Sequence, residues 1–279
     1  MRGRGLDGWG RAGRLMSAVV ADDRAVRSRE RSRARVRRVL AERSLWVVFQ
    51  PIVSLDTLTL VGLEALARFP GPAAYGPEQW FADATAAGLG VELEELALSV
   101  ALASVGELPG TAYLSVNASP AYVASGGVLR ALVASTVPPD RVVVEVTEHS
   151  SVSDYATLGA GLAGLRERGV RVAVDDAGAG FASFRHIITL APDTIKIDRA
   201  LVHSIDADPA RRAFAAAVVM FALDRGAAVV AEGVETQAEL ETVTLLGMDA
   251  AQGFLLARPD RDPGRWSESP RLAAATPSP

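Results

Sequence analysis

Residues 170–176 read Val-Arg-Val-Ala-Val-Asp-Asp, an apolar, β-branched run that ends abruptly in two adjacent acids. A strand so continuously apolar is buried on both faces, as in a parallel sheet covered by helices. The two acids do not belong in a core, so the end of this strand reads as a rim facing something polar. Seven other segments repeat the pattern: LWVVFQPIVS (45–54), LVGLEALARF (60–69), AYLSVNAS (112–119), RVVVEVTEH (141–149), TIKID (194–198), AAVVAEGVE (227–235) and AAQGFLLARP (250–259).

Helix-like stretches separate them, notably Val91–Val105, Ala121–Val137, Asp154–Arg168, Pro209–Arg225 and Thr236–Leu246. Gly169, Gly226 and Gly247 stand where helices commonly end in a left-handed residue. Eight strands alternating with helices over about 215 residues read as a closed α/β barrel of the TIM type. The link Leu55–Thr59 is too short for a helical crossover, so the first strand is expected to run antiparallel to the second. The division expected from composition is an Arg-rich extension or helix over 1–44, partly disordered, the barrel over 45–260, and a flexible Pro/Ser/Ala-rich tail over 261–279.

The 279 residues suit one such domain, and a hydrophobic fraction of 49% is ample for its core. The chain has no cysteine, which excludes disulfides, thiolate zinc sites and cysteine nucleophiles. No apolar run reaches the roughly 18 residues of a membrane span, and Ala213–Leu223 reads as a buried helix. Leu15–Ala21 is too short for a signal peptide and is interrupted by Ser17, so a cytoplasmic location is expected. The net charge of −4 conceals an asymmetry. Residues 1–44 hold 13 arginines against 5 acids, leaving −12 on the rest. The basic stretch Arg24–Arg43 carries one apolar stripe, Val36, Val39 and Leu40, and lacks interleaved aromatics. It reads as a solvated helix rather than a grip on a nucleic-acid polymer. Of the 29 lysines and arginines only Lys196 is lysine, and Asn117 is the only asparagine. Both stand at strand ends, in positions where arginine, glutamine or aspartate would not serve.

Nearly every predicted strand ends in polar residues: Glu64 and Arg68, Asn117, Glu145 and Glu148, Asp175 and Asp176, Lys196 and Asp198, Glu232 and Glu235, then Gln252. In a β/α barrel these ends converge on one mouth, where active sites are built. So many carboxylates in a partly buried mouth repel one another unless cations are present. Oxygen ligands without Cys or a well-placed His select Mg²⁺, Mn²⁺ or Ca²⁺. Adjacent Asp175 and Asp176 suit a bridging and a terminal ligand. Lys196 within TIKID is costly in a core unless it faces anions. Taken singly, Glu64 could instead pair with Arg68, and Glu235 could simply occupy the first turn of the next helix. Gln252 and Gly253 read as a substrate-contacting pair, since glycine lets a ligand approach the backbone. His149, His186 and His203 share no spacing and read as structural.

Taken in order, VGLEALAR, SVNAS, EVTE, VDDAGAGFAS, IKID, VVAEGVE and QGF resemble the EAL-domain family of cyclic di-GMP phosphodiesterases. The resemblance runs from about Leu45 to Asp260. It implies hydrolysis of cyclic di-GMP to linear pGpG with two Mg²⁺ or Mn²⁺ ions. It also implies metal ligation by Glu64, Asn117, Glu145, Asp175, Asp176 and Glu232, with Asp175 bridging. Lys196 would touch the attacking water, and Glu232 would help to deprotonate it. Gln50, Leu66, Arg68 and Gln252 would contact substrate, Glu148 would order the loop after Asp176, and Glu235 would support the site from behind. A homodimer and a regulatory protein partner follow from the same resemblance. One loop departs from the family's common DDFGTGYSS: Ala177 lacks the aromatic and Ala179 the hydroxyl that could meet Glu148, so activity is expected to survive with altered loop ordering. Two other readings compete. One is a weakly active or inactive domain serving as a cyclic di-GMP receptor or protein-interaction module. The other is a metal-dependent barrel acting on a sugar phosphate or an enolisable acid.

Overall fold

The computed structural model describes residues 29–72, 75–106, 108–146, 154–177 and 183–266, with backbone alone at 176–177 and 183–186. The described residues divide into two units, the first formed by 29–44 with Phe69–Leu93, the second by Leu45–Arg68 with 94–266.

In the first unit, helix α1 covers 29–42 and α2 covers Pro77–Ala86. Val36 and Val39 of α1 are buried, as the apolar stripe requires, along with Trp80 and Ala84 of α2. Phe69 stacks on Trp80 with ring centroids 5.0 Å apart, and Tyr75 meets the same indole edge-on at 5.6 Å. The Arg35 guanidinium lies 4.0 Å from the centre of the Tyr75 ring and pairs with Asp83 at 2.7 Å. Such a cation over an aromatic face gains electrostatic attraction as well as packing.

The second unit is a closed eight-stranded barrel with strand order β1 to β8. Its strands are β1 (Trp46–Ser54), β2 (Leu60–Arg68), β3 (Tyr113–Ala118), β4 (Val142–Val146), β5 (Arg171–Ala177), β6 (Thr194–Ile197), β7 (Ala228–Ala231) and β8 (Ala250–Ala251). β1 pairs antiparallel with both β2 and β8, and all the other neighbours are parallel. The fold is therefore the TIM-type barrel with a reversed first strand that the short 55–59 link demanded. β8 is only two residues long. Beyond it the chain turns away and returns to β1 through a two-way backbone bridge between Phe49 and Asp260.

The barrel helices are α3 (Gly90–Ser104), which also begins in the first unit, then α4 (Pro120–Ala124), α5 (Gly127–Val133), α6 (Tyr155–Arg166), α7 (Ser183–Leu190), α8 (Arg199–Val202), α9 (Pro209–Arg225) and α10 (Gln237–Leu245). Two sequence expectations need correction. The single helix over Ala121–Val137 is two, because Gly126 adopts a left-handed φ of 71° between them. The apolar run Ala213–Leu223 lies on α9 but is not buried throughout: Ala215, Val218 and Ala222 face inward, while Met220 and Leu223 are exposed. Gly169, Gly226 and Gly247 all take positive φ, as their positions after helices predicted. Among the described residues, no helix is long and apolar enough to cross a membrane.

The end of the barrel away from the strand C-termini is filled. Arg171 lies 4.8 Å over the Tyr113 ring, and Ile52, Val230 and Ala250 cluster beside it. A β-carbon on Gly62 would lie 2.5 Å from that tyrosine ring, so only glycine fits there. With one end closed, polar chemistry is confined to the other.

Candidate active site

Alternate residues of a barrel strand point inward, so one inward set brings Glu64, Ser115, Glu145, Asp175 and Lys196 to the upper interior. The registers agree: Gln50 lies opposite Glu64, Glu64 opposite Ser115, and Asn117 opposite Glu145. The Lys196 ammonium, 1% exposed, is the centre of the cluster. It lies 2.5 Å from Glu232, 2.8 Å from Glu145, 3.5 Å from Asp175 and 3.6 Å from Glu64. Those positions span 168 residues of sequence and meet because each sits at the same end of a neighbouring strand.

Several of the surrounding polar groups are tied to one another as well. Asn117 donates its amide to Glu64 at 3.1 Å, and Gln252 donates to the other oxygen of Glu64 at 2.6 Å and to Gln50 at 3.0 Å. Gln50 in turn donates to the Ala257 carbonyl at 3.3 Å. Ser115 donates to Glu145 at 2.5 Å. Sequence reasoning missed Ser115; its only signal was a hydroxyl at an inward position of AYLSVNAS, two residues before Asn117.

Four carboxylates share one ammonium, and the electrostatics reflect the shortage of positive charge. Burial pushes the Glu145 carboxyl up to about 8, with Lys196 opposing and Glu64 and Asp175 adding to the rise. Burial raises Glu232 well above its usual range too, again against the pull of Lys196. Burial alone would lower Lys196, but Asp175, Glu145, Glu232 and Glu64 outweigh it and hold the ammonium charged. Asp175 Oδ1 is buried and accepts no hydrogen bond, facing Lys196 only across the longer ion-pair distance. The Gln252 Oε1 atom is also buried without a donor.

The other predicted residues occupy distinct places. Arg68 and Leu66 are half-buried at the mouth end of β2, on the same face as Glu64; Arg68 bonds its neighbour's carbonyl at Ala67, and burial lowers its pKa against the attraction of Glu64. Glu64 forms its ion pair with Lys196. Glu235 is turned away from the cluster and pairs with Arg199 at 2.8 Å. The Asp176 side chain, Glu148, His149 and the 178–182 loop lie outside the described residues. His203 is largely exposed, beside Glu239.

The loop carrying Glu232 is fixed from below. Gly233 takes a φ of 66° and Arg199 crosses it so closely that a β-carbon would lie 2.4 Å from the arginine side chain. Buried Glu239 accepts the backbone N–H groups of Ser204, Glu235 and Thr236, closing a capping box with the Thr236 hydroxyl. Burial would raise this carboxyl, yet those three N–H groups hold it below the usual range.

The donor set is all oxygen, with one orphaned carboxylate atom and too little positive charge, which fits a hard divalent cation. Among the described residues, no group of three or more His, Asp or Glu side chains is placed to hold a metal ion, and the acids converge on Lys196 instead. Fold and site together define a TIM-type barrel with a carboxylate-lined, cation-seeking mouth at the strand C-termini. The comparisons narrow this class. The profile of the EAL domain matches residues 33–259, and this chain belongs to that family. The bifunctional diguanylate cyclase/cyclic di-GMP phosphodiesterase MucR of Pseudomonas aeruginosa is 31% identical over 234 residues, covering 80% of this chain and 34% of its own. The cyclic di-GMP phosphodiesterase RocR of the same organism is 31% identical, covering 76% of this chain and 56% of its own. The MucR phosphodiesterase in complex with cyclic di-GMP superposes with a TM-score of 0.72 at 30% identity, over 82% of this chain and 97% of that one. Klebsiella pneumoniae BlrP1 with calcium and cyclic di-GMP gives 0.69 at 33% identity, over 77% and 56%. A manganese complex of BlrP1 is equally similar. This chain spans only about a third of the length of several curated relatives.

Proposed function

We propose that this chain hydrolyses cyclic di-GMP to linear pGpG, using two divalent cations, Mg²⁺ or Mn²⁺. The observation that carries the reading is the convergence of Glu64, Glu145, Asp175 and Glu232 on Lys196 at the barrel mouth. Relatives named as cyclic di-GMP phosphodiesterases support the choice of substrate.

Glu64, Asn117, Glu145, Asp175, Asp176 and Glu232 would hold the cations, with Asp175 shared between them. Bound there, such ions lower the pKa of water and offset the charge of an in-line transition state. Lys196 holds the attacking water in line with phosphorus by its remaining donor capacity. Glu232, beside the Lys196 ammonium, would take the proton of that water. The water oxygen bonds to phosphorus, the P–O3′ bond breaks, and the ribose oxygen leaves with a proton drawn from solvent, while Glu232 returns the one it took to solvent. Arg68 grips a phosphate oxygen, while Gln50, Leu66 and Gln252 line the substrate. Glu148 orders the loop after Asp176, and Glu235 steadies the Glu232 loop through Arg199. The proposal includes a homodimer under control of a regulatory protein partner, which rests on the family resemblance, and a cytoplasmic location, which rests on the sequence reading of the chain.

Purified protein incubated with cyclic di-GMP and Mn²⁺ or Mg²⁺ should yield pGpG by chromatography, and Glu64→Ala should abolish it. Tight nucleotide binding without product would instead favour the receptor reading. Turnover of a sugar phosphate with cyclic di-GMP inert would overturn both.

A further inference from the structure

Among the described residues, Glu145 is the most enclosed acid in the barrel, fully buried, and its two oxygens have different partners. Lys196 donates to Oε2 at 2.8 Å, and the Ser115 hydroxyl donates to Oε1 at 2.5 Å. Ser115 is itself 1% exposed, on β3, where its register opposite Glu64 aims it into the interior. Two donors on opposite sides of one carboxylate fix the rotation of its plane. Remove the hydroxyl, and Oε1 is left buried with no donor, a costly state. The group relieves that cost by swinging both oxygens toward the Lys196 ammonium. A carboxylate chelating lysine has turned away from whatever else the mouth must hold.

We infer that Ser115 is a positioning residue that keeps Glu145 oriented for a divalent cation. The inference rests on reading the mouth as a cation site. Ser115 meets the site through its hydrogen bond to Glu145. Partners of this kind, behind a ligand, typically contribute about 10- to 100-fold to metal affinity. A hydroxyl that served packing alone would change the melting temperature and leave cation affinity as it was.

The test is calorimetric titration of Mn²⁺ alone into full-length wild type, Ser115→Ala and Ser115→Thr, each checked for native circular dichroism. Ser115→Ala should bind Mn²⁺ about 10- to 100-fold more weakly. Ser115→Thr, which keeps the hydroxyl, should stay close to wild type. Equal affinity in wild type and Ser115→Ala overturns the inference, as does a threonine variant as weak as the alanine one. Where Ser115→Ala does not fold, Ser115→Cys replaces it, with similar volume and a feeble donor: weaker binding supports the inference and wild-type affinity overturns it. Wild type that binds no Mn²⁺ removes the cation reading itself, and the role of Ser115 with it.

Discussion

Lys196 illustrates how one side chain can set the terms for its neighbours. Its ammonium is buried, a position tolerable only because four carboxylates surround it, and each of them depends on it in return. Lys196→Met should therefore lower the stability of chelator-treated protein by about 3–5 kcal/mol in urea unfolding, because it leaves buried acids without a counter-charge. Mn²⁺ should restore part of that loss. A midpoint unchanged from wild type would refute the account. The raised carboxyl of Glu145 gives a second expectation. Its folded pKa of about 8 exceeds the ordinary value of 4.5, so the folded state holds a proton that the unfolded state has released. The contribution of Glu145 is full below pH 4.5 and declines as pH rises toward 8. Metal-free protein should accordingly melt lower at pH 8.5 than at pH 5.5, and Mn²⁺ should diminish that slope. At this scale the sequence was informative where an acid or a lysine interrupts an apolar run, because burying charge demands a reason. It was silent on Ser115, since a serine in a strand carries no such cost on its face. Glu235 was ambiguous in the string AEGVE, and its pairing with Arg199 rather than Lys196 emerges only once α8 is in place.

Among the elements, the loop between β7 and α10 depends most visibly on a single residue. Glu239 sits in the first turn of α10 and accepts three backbone donors drawn from two loops. Glu239→Ala should cost about 2–4 kcal/mol, since buried N–H groups lose their acceptor. It should also reduce turnover, by loosening the loop that carries Glu232. Guanidinium unfolding beside a rate assay would check both, and a stability loss with turnover intact would detach the loop from the chemistry. Gly62→Val should cost about 1–3 kcal/mol by forcing the Tyr113 ring aside, measurable by thermal melting. The strands β1 to β7 and the reversed first strand were legible in sequence, whereas the eighth apolar run forms a strand only over Ala250–Ala251. The break between α4 and α5 was not, because an apolar run on both sides of Ser125-Gly126-Gly127 preserves helical periodicity across a left-handed turn. Nor was the exposure of Met220 and Leu223, since hydrophobicity reports what a residue would prefer and not what covers it.

At the scale of the whole molecule, the two units should respond separately to damage. Arg35 lies over Tyr75 and Trp80 and pairs with Asp83, all within the first unit. Arg35→Ala should speed hydrogen exchange in α1 and α2 by roughly tenfold, the equivalent of about 1.4 kcal/mol, while β4 and β6 amides keep their protection. Faster exchange throughout the barrel would contradict that partition. The reversed β1 has a further consequence for traffic. In an all-parallel barrel the first strand starts at the floor. Here Trp46 lies opposite Arg68, at the top of β2, so the chain enters the barrel from the roof. It leaves there as well, since Asp260 bridges Phe49 and Arg261 covers the Trp46 ring at 4.9 Å. Entrance, exit and the acidic pocket thus share one doorway, and the opposite end, plugged by Tyr113, is a back wall. A ligand must reach the pocket through that same doorway. An affinity handle or surface anchor that must not obstruct that crossing belongs on the back wall, in the 55–59 hairpin.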